Sequence, residues 1–140
     1  MAKRPLFDTS VFPDYADKIE NLLLSCFFPT IVFYELVATS IDDSTLQKYE
    51  RWRVLANRNK LLVNPTASDW WETSKVIRRL YLMQSEQPTK LKTLRNDALI
   101  VRLAVIHEGF VVMHDTDDFQ IIQKAMPNLK IMSAREFFEI

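Results

Sequence analysis

The sequence predicts an α/β fold in which a parallel sheet is covered by helices on both faces. Short apolar segments alternate with longer amphipathic ones along the 140 residues, in the order strand, helix, strand, helix. Strands separated by helices favour parallel pairing and helical layers on each side of the sheet. With 48% hydrophobic residues the chain has enough apolar surface for a core. We therefore expect a single domain over residues 1–140.

Five short segments are predicted as strands because they are apolar or β-branched and are bounded by turn or helix signals. These are Pro5–Phe7, Thr30–Val32, Leu61–Val63, Phe110–Met113 and Leu129–Met132.

The helices are predicted from the spacing of apolar residues and from capping signals. They cover Asp14–Cys26, Tyr34–Thr39, Ser44–Asn57, Thr66–Gln84, a segment from Thr93 or Asn96 to Gly109, Asp117–Ala125, and a short segment after Ser133. Thr66 and Asp69 have the spacing of a capping box, and Gly109 is predicted as the C′ residue of its helix. The segment 85–90 is predicted to be a loop.

Composition excludes several classes of site. A single glycine cannot form a GxGxxG or P-loop motif, and two histidines cannot supply the usual ligands of zinc. One cysteine cannot form a disulfide within the chain, which favours a reducing cytoplasm. No apolar run approaches the roughly 20 residues of a membrane span. The 18 basic and 18 acidic side chains cancel, so net charge argues neither for nor against nucleic acid.

Four carboxylates lie at the edges of the most apolar segments. Asp8 and Asp115 follow predicted strands, whereas Glu35 and Asp97 lie near the start of predicted helices. Each acid taken alone is compatible with a helix cap or a partner of the helix dipole. Ligand sites of parallel sheets lie beyond the carboxyl ends of the strands, so all four acids can converge there. Because an ionised carboxylate near a core is costly unless it is paired or holds a metal, we expect one shared cation site.

Clustered carboxylates favour hard cations such as Mg²⁺ or Mn²⁺, and phosphodiester oxygens can complete the coordination shell. Such a site can activate water for phosphoryl hydrolysis without a protein nucleophile. A basic group formed by Lys90, Lys92 and Arg95 precedes Asp97, and we consider it either a weak contact for a phosphate backbone or a solvated charged loop.

Four motifs, in order, resemble those of PIN-domain ribonucleases, specifically VapC-type toxins of toxin–antitoxin systems. The segments are Leu6-Phe7-Asp8-Thr9-Ser10, Tyr34-Glu35-Leu36, Asn96-Asp97-Ala98-Leu99-Ile100 and His114-Asp115-Thr116-Asp117-Asp118-Phe119. The resemblance covers essentially the whole chain. It implies a PIN-like α/β/α sandwich with a central parallel sheet of about five strands.

The resemblance also implies a function and a set of site residues. The function is a Mg²⁺- or Mn²⁺-dependent endoribonuclease that forms a homodimer and is blocked by a cognate antitoxin protein. The implied catalytic and metal-binding acids are Asp8, Glu35, Asp97 and Asp115, with Asp118 as a further metal-binding acid. Thr9, Ser10 and Asn96 are implied supporting residues.

One departure from the family pattern leaves alternatives open. Met113 stands where the family has a threonine shortly before the fourth acid. A catalytically silent PIN module that binds RNA or protein therefore remains an alternative, as does a nuclease for RNA processing that is not a toxin. Trp52 and Phe137-Phe138 are considered as parts of a dimer or antitoxin surface.

Overall fold

The structure is a computed structural model that describes residues 4–139. In this range the chain forms five short strands: β1 (Pro5–Phe7), β2 (Phe28–Pro29), β3 (Leu62–Val63), β4 (Phe110–Met113) and β5 (Ile131–Ser133). The helices are α1 (Phe12–Glu20), α2 (Thr30–Ala38), α3 (Asp43–Arg58), α4 (Ala67–Leu82), α5 (Pro88–Thr93), α6 (Arg95–Ile106), α7 (Asp117–Ala125) and α8 (Ala134–Phe138). A 3₁₀ turn, Thr9–Val11, connects β1 to α1.

All observed strand pairs are parallel, as predicted. β1, β4 and β5 form a three-stranded sheet with β4 in the middle, whereas β2 and β3 form a separate two-stranded sheet, so the expected single sheet of about five strands is divided in two. Leu6 of β1 is opposite Val111 of β4, and β2 lies beside β1. The carboxyl ends of the parallel strands β1 and β4 therefore lie side by side. Ligand sites of parallel sheets form beyond such carboxyl ends.

Helix α6 is the central helix, as its nearly continuous apolar sequence predicts. Leu99, Ile100, Val101 and Ala104 are fully buried, and α6 packs against α4, β1 and β4. Burial of these side chains fixes the position of Asp97, which lies in the first turn of the same helix.

The second strand differs from the prediction. Thr30–Val32 was expected to be extended, but these residues form the first turn of α2, and the strand is Phe28–Pro29. Pro29 is extended and precedes the helix, whereas Val32, Phe33 and Leu36 bury one side of it. Tertiary burial thus outweighs the weak preference of β-branched residues for strands.

The segment 85–90 also differs from the predicted loop, because its second half begins helix α5. Pro88 occupies the first turn of α5, where its missing N–H has no cost. Leu91 and the following Leu94 are buried. These two anchors hold α5 against the body of the domain, next to α4 and α6.

Gly109 follows the C-terminal end of α6, but it is needed there for a reason other than the predicted C′ conformation. Glu108, not Gly109, adopts the left-handed conformation, with φ 54°. A Cβ on Gly109 would lie 2.5 Å from the carbonyl oxygen of Arg4. Gly109 is therefore required for the close approach of β4 to the residue before β1, not for the turn itself.

One predicted helix end differs from the structure, and one predicted helix start is confirmed. The first helix ends at Glu20 rather than Cys26 and continues as turns. The capping box of Thr66 and Asp69 is present. Trp52 is buried and is not available for the suggested partner surface, whereas Phe137 and Phe138 are half-buried and their rings pack against Phe7. The strands are short, and these aromatic rings add buried apolar area to the core.

Within residues 4–139, none of the helices combines the length and the apolar character needed to cross a membrane.

Candidate functional site

Asp8 lies at the carboxyl end of β1, where the chain turns into the 3₁₀ turn. Its backbone N–H donates to the carbonyl oxygen of Val112 (2.9 Å), which fixes it beside β4. The side chain is 8% exposed. Burial raises the pKa of Asp8, more than the hydrogen bonds from Ser10 and Thr9 lower it. A carboxylate in this position carries a charge that its surroundings do not balance.

Ser10 connects the ends of the two central strands. Its hydroxyl donates to Asp8 Oδ2 (2.7 Å) and accepts from the backbone N–H of His114 (3.2 Å), directly after β4. The backbone N–H of Ser10 also donates to Asp8 Oδ2 (3.3 Å). Ser10 therefore orients the Asp8 carboxylate. Met113, at the position of the missing family threonine, is fully buried, so the hydroxyl at this edge of the sheet comes from Ser10.

Glu35 approaches Asp8 from the second turn of α2 and is half-buried. Burial raises its pKa, and the charge on Asp8 raises it further, whereas the Thr9 hydroxyl lowers it. Thr9 Oγ1 is itself buried and lacks a hydrogen-bond partner of good geometry. This hydroxyl lies near Glu35 and is available to a rotated carboxylate or to a water between them.

Asp97 has the most perturbed carboxyl group of the site. Burial raises its pKa from 3.8 to about 7, and the charges of Asp8, Asp118 and Glu35 contribute to the rise. The cation of Lys90 acts in the opposite direction. The carboxylate after β1 and those on α2, α6 and α7 are thus close enough for their charges to interact. Burial and these negative charges therefore oppose ionisation of Asp97 up to about neutral pH.

The structure brings Asp118 rather than Asp115 to this group of acids. Asp118 lies in the first turn of α7, and its charge raises the pKa of both Asp8 and Asp97. Asp115 is exposed, and its Oδ1 accepts from the backbone N–H of Asp117 (2.9 Å) at the start of α7. We call the four acids Asp8, Glu35, Asp97 and Asp118 the acidic cluster.

Lys90 contributes a positive charge to the acidic cluster. Its Nζ lies 2.6 Å from Asp118 Oδ1, and both side chains are about two-fifths exposed (40% and 39%). The hydrogen bond to Asp118 raises the pKa of Lys90, and the charges of Asp118, Glu86 and Asp97 contribute to the rise. Lys92 and Arg95, the other members of the predicted basic group, are exposed. Asn96 is exposed beside Asp97.

As the side chains lie, no set of three or more His, Cys, Asp or Glu residues in the range 4–139 is arranged to hold a metal ion. The hydrogen bonds explain part of this: Ser10 occupies Asp8 Oδ2, and Lys90 occupies Asp118 Oδ1. The donor chemistry nevertheless fits a hard cation, since the cluster consists of carboxylates and burial raises the pKa of Asp8, Glu35 and Asp97. Ligation requires side-chain rotation within the acidic cluster.

Comparison with known proteins gives a result at the level of fold. No family model matches the chain, and no curated protein matches it. Among solved structures, it is similar to a chain in the crystal structure of VapBC2 from Rickettsia felis bound to a DNA fragment from their promoter, with a TM-score of 0.62. The match covers 92% of this chain and 97% of that chain at 19% sequence identity. The chain has a PIN-like fold. The fold implied by the four sequence motifs is thereby confirmed.

Sequence reasoning missed two features of the site. It did not anticipate that Lys90 would pair with Asp118, because that contact spans 28 positions and depends on helix α5. It also named both Thr9 and Ser10 as supporting residues without deciding which of them orients Asp8. The signal for Ser10 was present in the sequence, since a serine two residues after an aspartate often closes a local turn with it.

Proposed function

We propose that the protein is a divalent-metal-dependent endoribonuclease and the toxin of a toxin–antitoxin pair. The observation that carries this proposal is the acidic cluster beyond the carboxyl ends of β1 and β4, in which Asp97 has a pKa of about 7. An excess of negative charge at an otherwise apolar sheet edge is the electrostatic condition for recruiting a cation.

In this proposal Asp8, Glu35 and Asp97 hold Mg²⁺ or Mn²⁺, with Asp118 beside them. When bound, such a cation activates water and neutralises the charge that develops on a phosphodiester. Ser10 keeps the Asp8 carboxylate oriented through its hydroxyl. Thr9 supports Glu35, and the buried face of α6 keeps Asp97 in place.

Lys92 and Arg95 support the choice of a polyanionic substrate. Both are exposed and close to Asp97 in the sequence, and exposed cationic side chains can contact the phosphates of a nucleic acid without base specificity. RNA is proposed as that nucleic acid because of the motif resemblance, as are a homodimer and a cytoplasmic location.

The proposed partner is an antitoxin protein. The solved structure with the same fold is a VapBC2 complex, which includes a DNA fragment from the promoter of that system. By analogy, a second protein encoded beside this chain would bind it and cover the acidic cluster. Production of the chain alone should then arrest growth, and co-production of the partner should restore it.

Cleavage of a structured RNA in the presence of Mn²⁺ tests the activity. Asp97→Asn should lose more activity than the roughly 10- to 100-fold that removal of an outer-sphere partner costs. Asp17→Asn is the matched control, because Asp17 is an exposed acid of α1. Cleavage by wild type in excess chelator, or undiminished cleavage by Asp97→Asn, would contradict the proposal.

A catalytically silent module is the second candidate, and the buried Met113 motivates it. Such a module would bind RNA without cleaving it and would not take up Mn²⁺. The Ser10 hydroxyl argues for the nuclease, since it supplies a hydroxyl at the same sheet edge. Calorimetric titration with Mn²⁺ discriminates between the two.

A further inference from the structure

A small cavity lies between helix α4 and the first residue of α6. Its volume is about 150 Å³, and its lining is mostly apolar. Pockets that take up drug-sized ligands measure roughly 300–1,000 Å³, so this one is limited to a group about the size of a single ring system. The residues that line it are Trp70, Thr73, Ser74, Ile77 and Arg95.

Trp70 is the largest side chain in this lining. It is 46% exposed, in contrast to the buried Trp52. The helix that carries it is well fixed, because Thr73 is buried and its hydroxyl donates to the carbonyl oxygen of Asp69 (2.7 Å), whose carboxylate pairs with Arg102. A tryptophan ring that is held in place and partly exposed offers a surface on which planar groups stack.

Arg95 adds a cation to the lining of the cavity. Its Nε donates to the carbonyl oxygen of Lys92 (3.1 Å), which holds the guanidinium and leaves its two terminal nitrogens available. In the range 4–139, Arg95 forms no ion pair. A guanidinium can lie beside an aromatic ring and donate to a phosphate. The cavity therefore combines a stacking surface with a phosphate donor.

The cavity is also close to the acidic cluster. Arg95 begins α6, and Asp97 follows in the first turn of the same helix. Helix geometry places the Cα atoms of residues two positions apart about 5.5 Å from each other. A nucleotide chain that contacts Arg95 is thus within reach of Asp97.

We propose that this cavity, the Trp70–Arg95 cleft, binds one unpaired base of a single-stranded RNA. The base stacks on Trp70, and Arg95 donates to the adjoining phosphate. The inference rests on the proposed nuclease function and deepens it, because it makes an unpaired segment of RNA part of what the site recognises. Bases within a duplex are stacked on one another and are not free to enter the cleft.

Two features of the cleft favour a nucleotide over a helix of a partner protein. A docked amphipathic helix needs a groove for anchors that are spaced over two turns, which is longer than a cavity of about 150 Å³. A nucleotide is a planar ring system joined to an anion, and the cleft offers an aromatic ring beside a cation that has no ion-pair partner in the range 4–139.

Binding of a short labelled single-stranded RNA in chelator, followed by fluorescence anisotropy, tests the inference without cleavage. Trp70→Ala should bind roughly 5- to 100-fold more weakly than wild type, because the stacking of one base is lost. Trp71→Ala is the matched control, since the neighbouring Trp71 is 66% exposed and lies outside the lining of the cleft, and it should bind like wild type. Circular dichroism verifies that each variant is folded.

Three further measurements distinguish stacking from a merely structural role. Trp70→Phe should keep most of the affinity but lose the quenching of tryptophan fluorescence that RNA causes in wild type and in Trp71→Phe. Arg95→Met should weaken binding and reduce its salt dependence, because it removes a phosphate contact. A fully paired RNA of the same sequence should bind wild type and Trp70→Ala equally.

Equal affinity of Trp70→Ala and wild type for the single-stranded RNA would overturn the inference, as would an equal loss in Trp71→Ala. A change of oligomeric state in Trp70→Ala on sedimentation, with unchanged RNA affinity, would instead assign the cleft to a contact between copies of the chain. Cleavage with Mn²⁺ judges the proposed function separately. If Trp70→Ala binds and cleaves RNA like wild type, the cleft alone fails and the nuclease proposal stands, whereas both fail if wild type neither binds nor cleaves RNA.

Discussion

The ionised Asp97 carboxylate lowers the folding stability of the metal-free protein at the position of the proposed cation site. Its folded-state pKa of about 7 exceeds the ordinary value of 3.8, so the folded chain binds this proton more tightly than the unfolded chain does. Without metal, the contribution of Asp97 to stability is therefore lost as pH rises from about 4 to about 7. At higher pH the ionised group opposes folding.

Replacement of this acid should stabilise the metal-free protein. Asp97→Asn should raise the free energy of unfolding by about 1–3 kcal/mol at pH 8 and change it little at pH 4. Denaturant unfolding in chelator at both pH values measures the effect. The exposed Asp17→Asn should change stability by less than about 0.5 kcal/mol at either pH. A loss of stability in Asp97→Asn at pH 8 would mean that the Asp97 carboxylate is already well paired.

The same carboxyl group should make metal uptake depend on pH. A ligand must be deprotonated to bind a cation, so Mn²⁺ should displace a proton from Asp97. The apparent affinity should fall by about tenfold for each pH unit below 7 and level off above 8. Titration in buffers of different ionisation enthalpy should detect release of about half a proton per ion at pH 7. Affinity that is constant between pH 6 and pH 8 would refute a role for Asp97 as a ligand.

At the scale of elements, one ion pair joins the two helices at the centre of the domain. Asp69 of α4 is 5% exposed, and its Oδ1 accepts from Arg102 Nε of α6 (3.1 Å). Burial raises the pKa of Asp69, but hydrogen bonds from Thr66 and Arg102 outweigh it and hold the pKa below its ordinary value. Asp69 thus stabilises the fold above pH 4, and this contribution is lost as pH falls.

Removal of the arginine should destabilise the contact between α4 and α6. Arg102→Met leaves a buried carboxylate with one partner fewer, at a cost of about 1–3 kcal/mol at pH 7. Thermal or denaturant unfolding measures this cost. Arg78→Met is the control, because Arg78 is exposed on α4. Equal stability of the two variants at pH 7 would show that the pair is an ordinary surface contact.

The end of α6 provides a matched pair of substitutions. Gly109→Ala should cost about 1–3 kcal/mol, because the added Cβ meets the carbonyl oxygen of Arg4 at 2.5 Å. Glu108→Gly should instead stabilise by up to about 1 kcal/mol, since it relieves a left-handed conformation. Both are measured as shifts in the denaturant midpoint. If Gly109→Ala were neutral and Glu108→Gly destabilising, the assignment of the turn would be incorrect.

At the scale of the whole molecule, periodicity predicted the parallel sheet and the central helix α6. Strands and helices that are buried on every side have nearly continuous apolar sequences, and this pattern is visible in the sequence. It misplaced β2 and α5, because both depend on contacts with distant segments rather than on local preference. Phe137 and Phe138 looked like surface residues only because the sequence does not reveal that they contact Phe7.

For the candidate site, the sequence likewise indicated some of the neighbouring acids but not all of the contacts among them. Asp8 follows β1, Asp97 lies in the first turn of α6 and Glu35 lies in the second turn of α2, and their charges act on one another. The turn after β4 separates Asp115 from Asp118: Asp115 accepts from the backbone N–H of Asp117, whereas the charge of Asp118 acts on Asp8 and Asp97. The pairing of Lys90 with Asp118 depends on α5, which the sequence pattern did not predict.

The central claim is that these separated carboxylates form one divalent-cation site. An anomalous difference map from crystals grown with Mn²⁺ at pH 8 tests it most directly. We expect a peak within about 2.0–2.3 Å of carboxylate oxygens of Asp8 and Asp97, with Glu35 in direct or water-mediated contact. Well-ordered crystals in which these carboxylates have no anomalous peak, or in which Mn²⁺ binds only elsewhere, would contradict the claim.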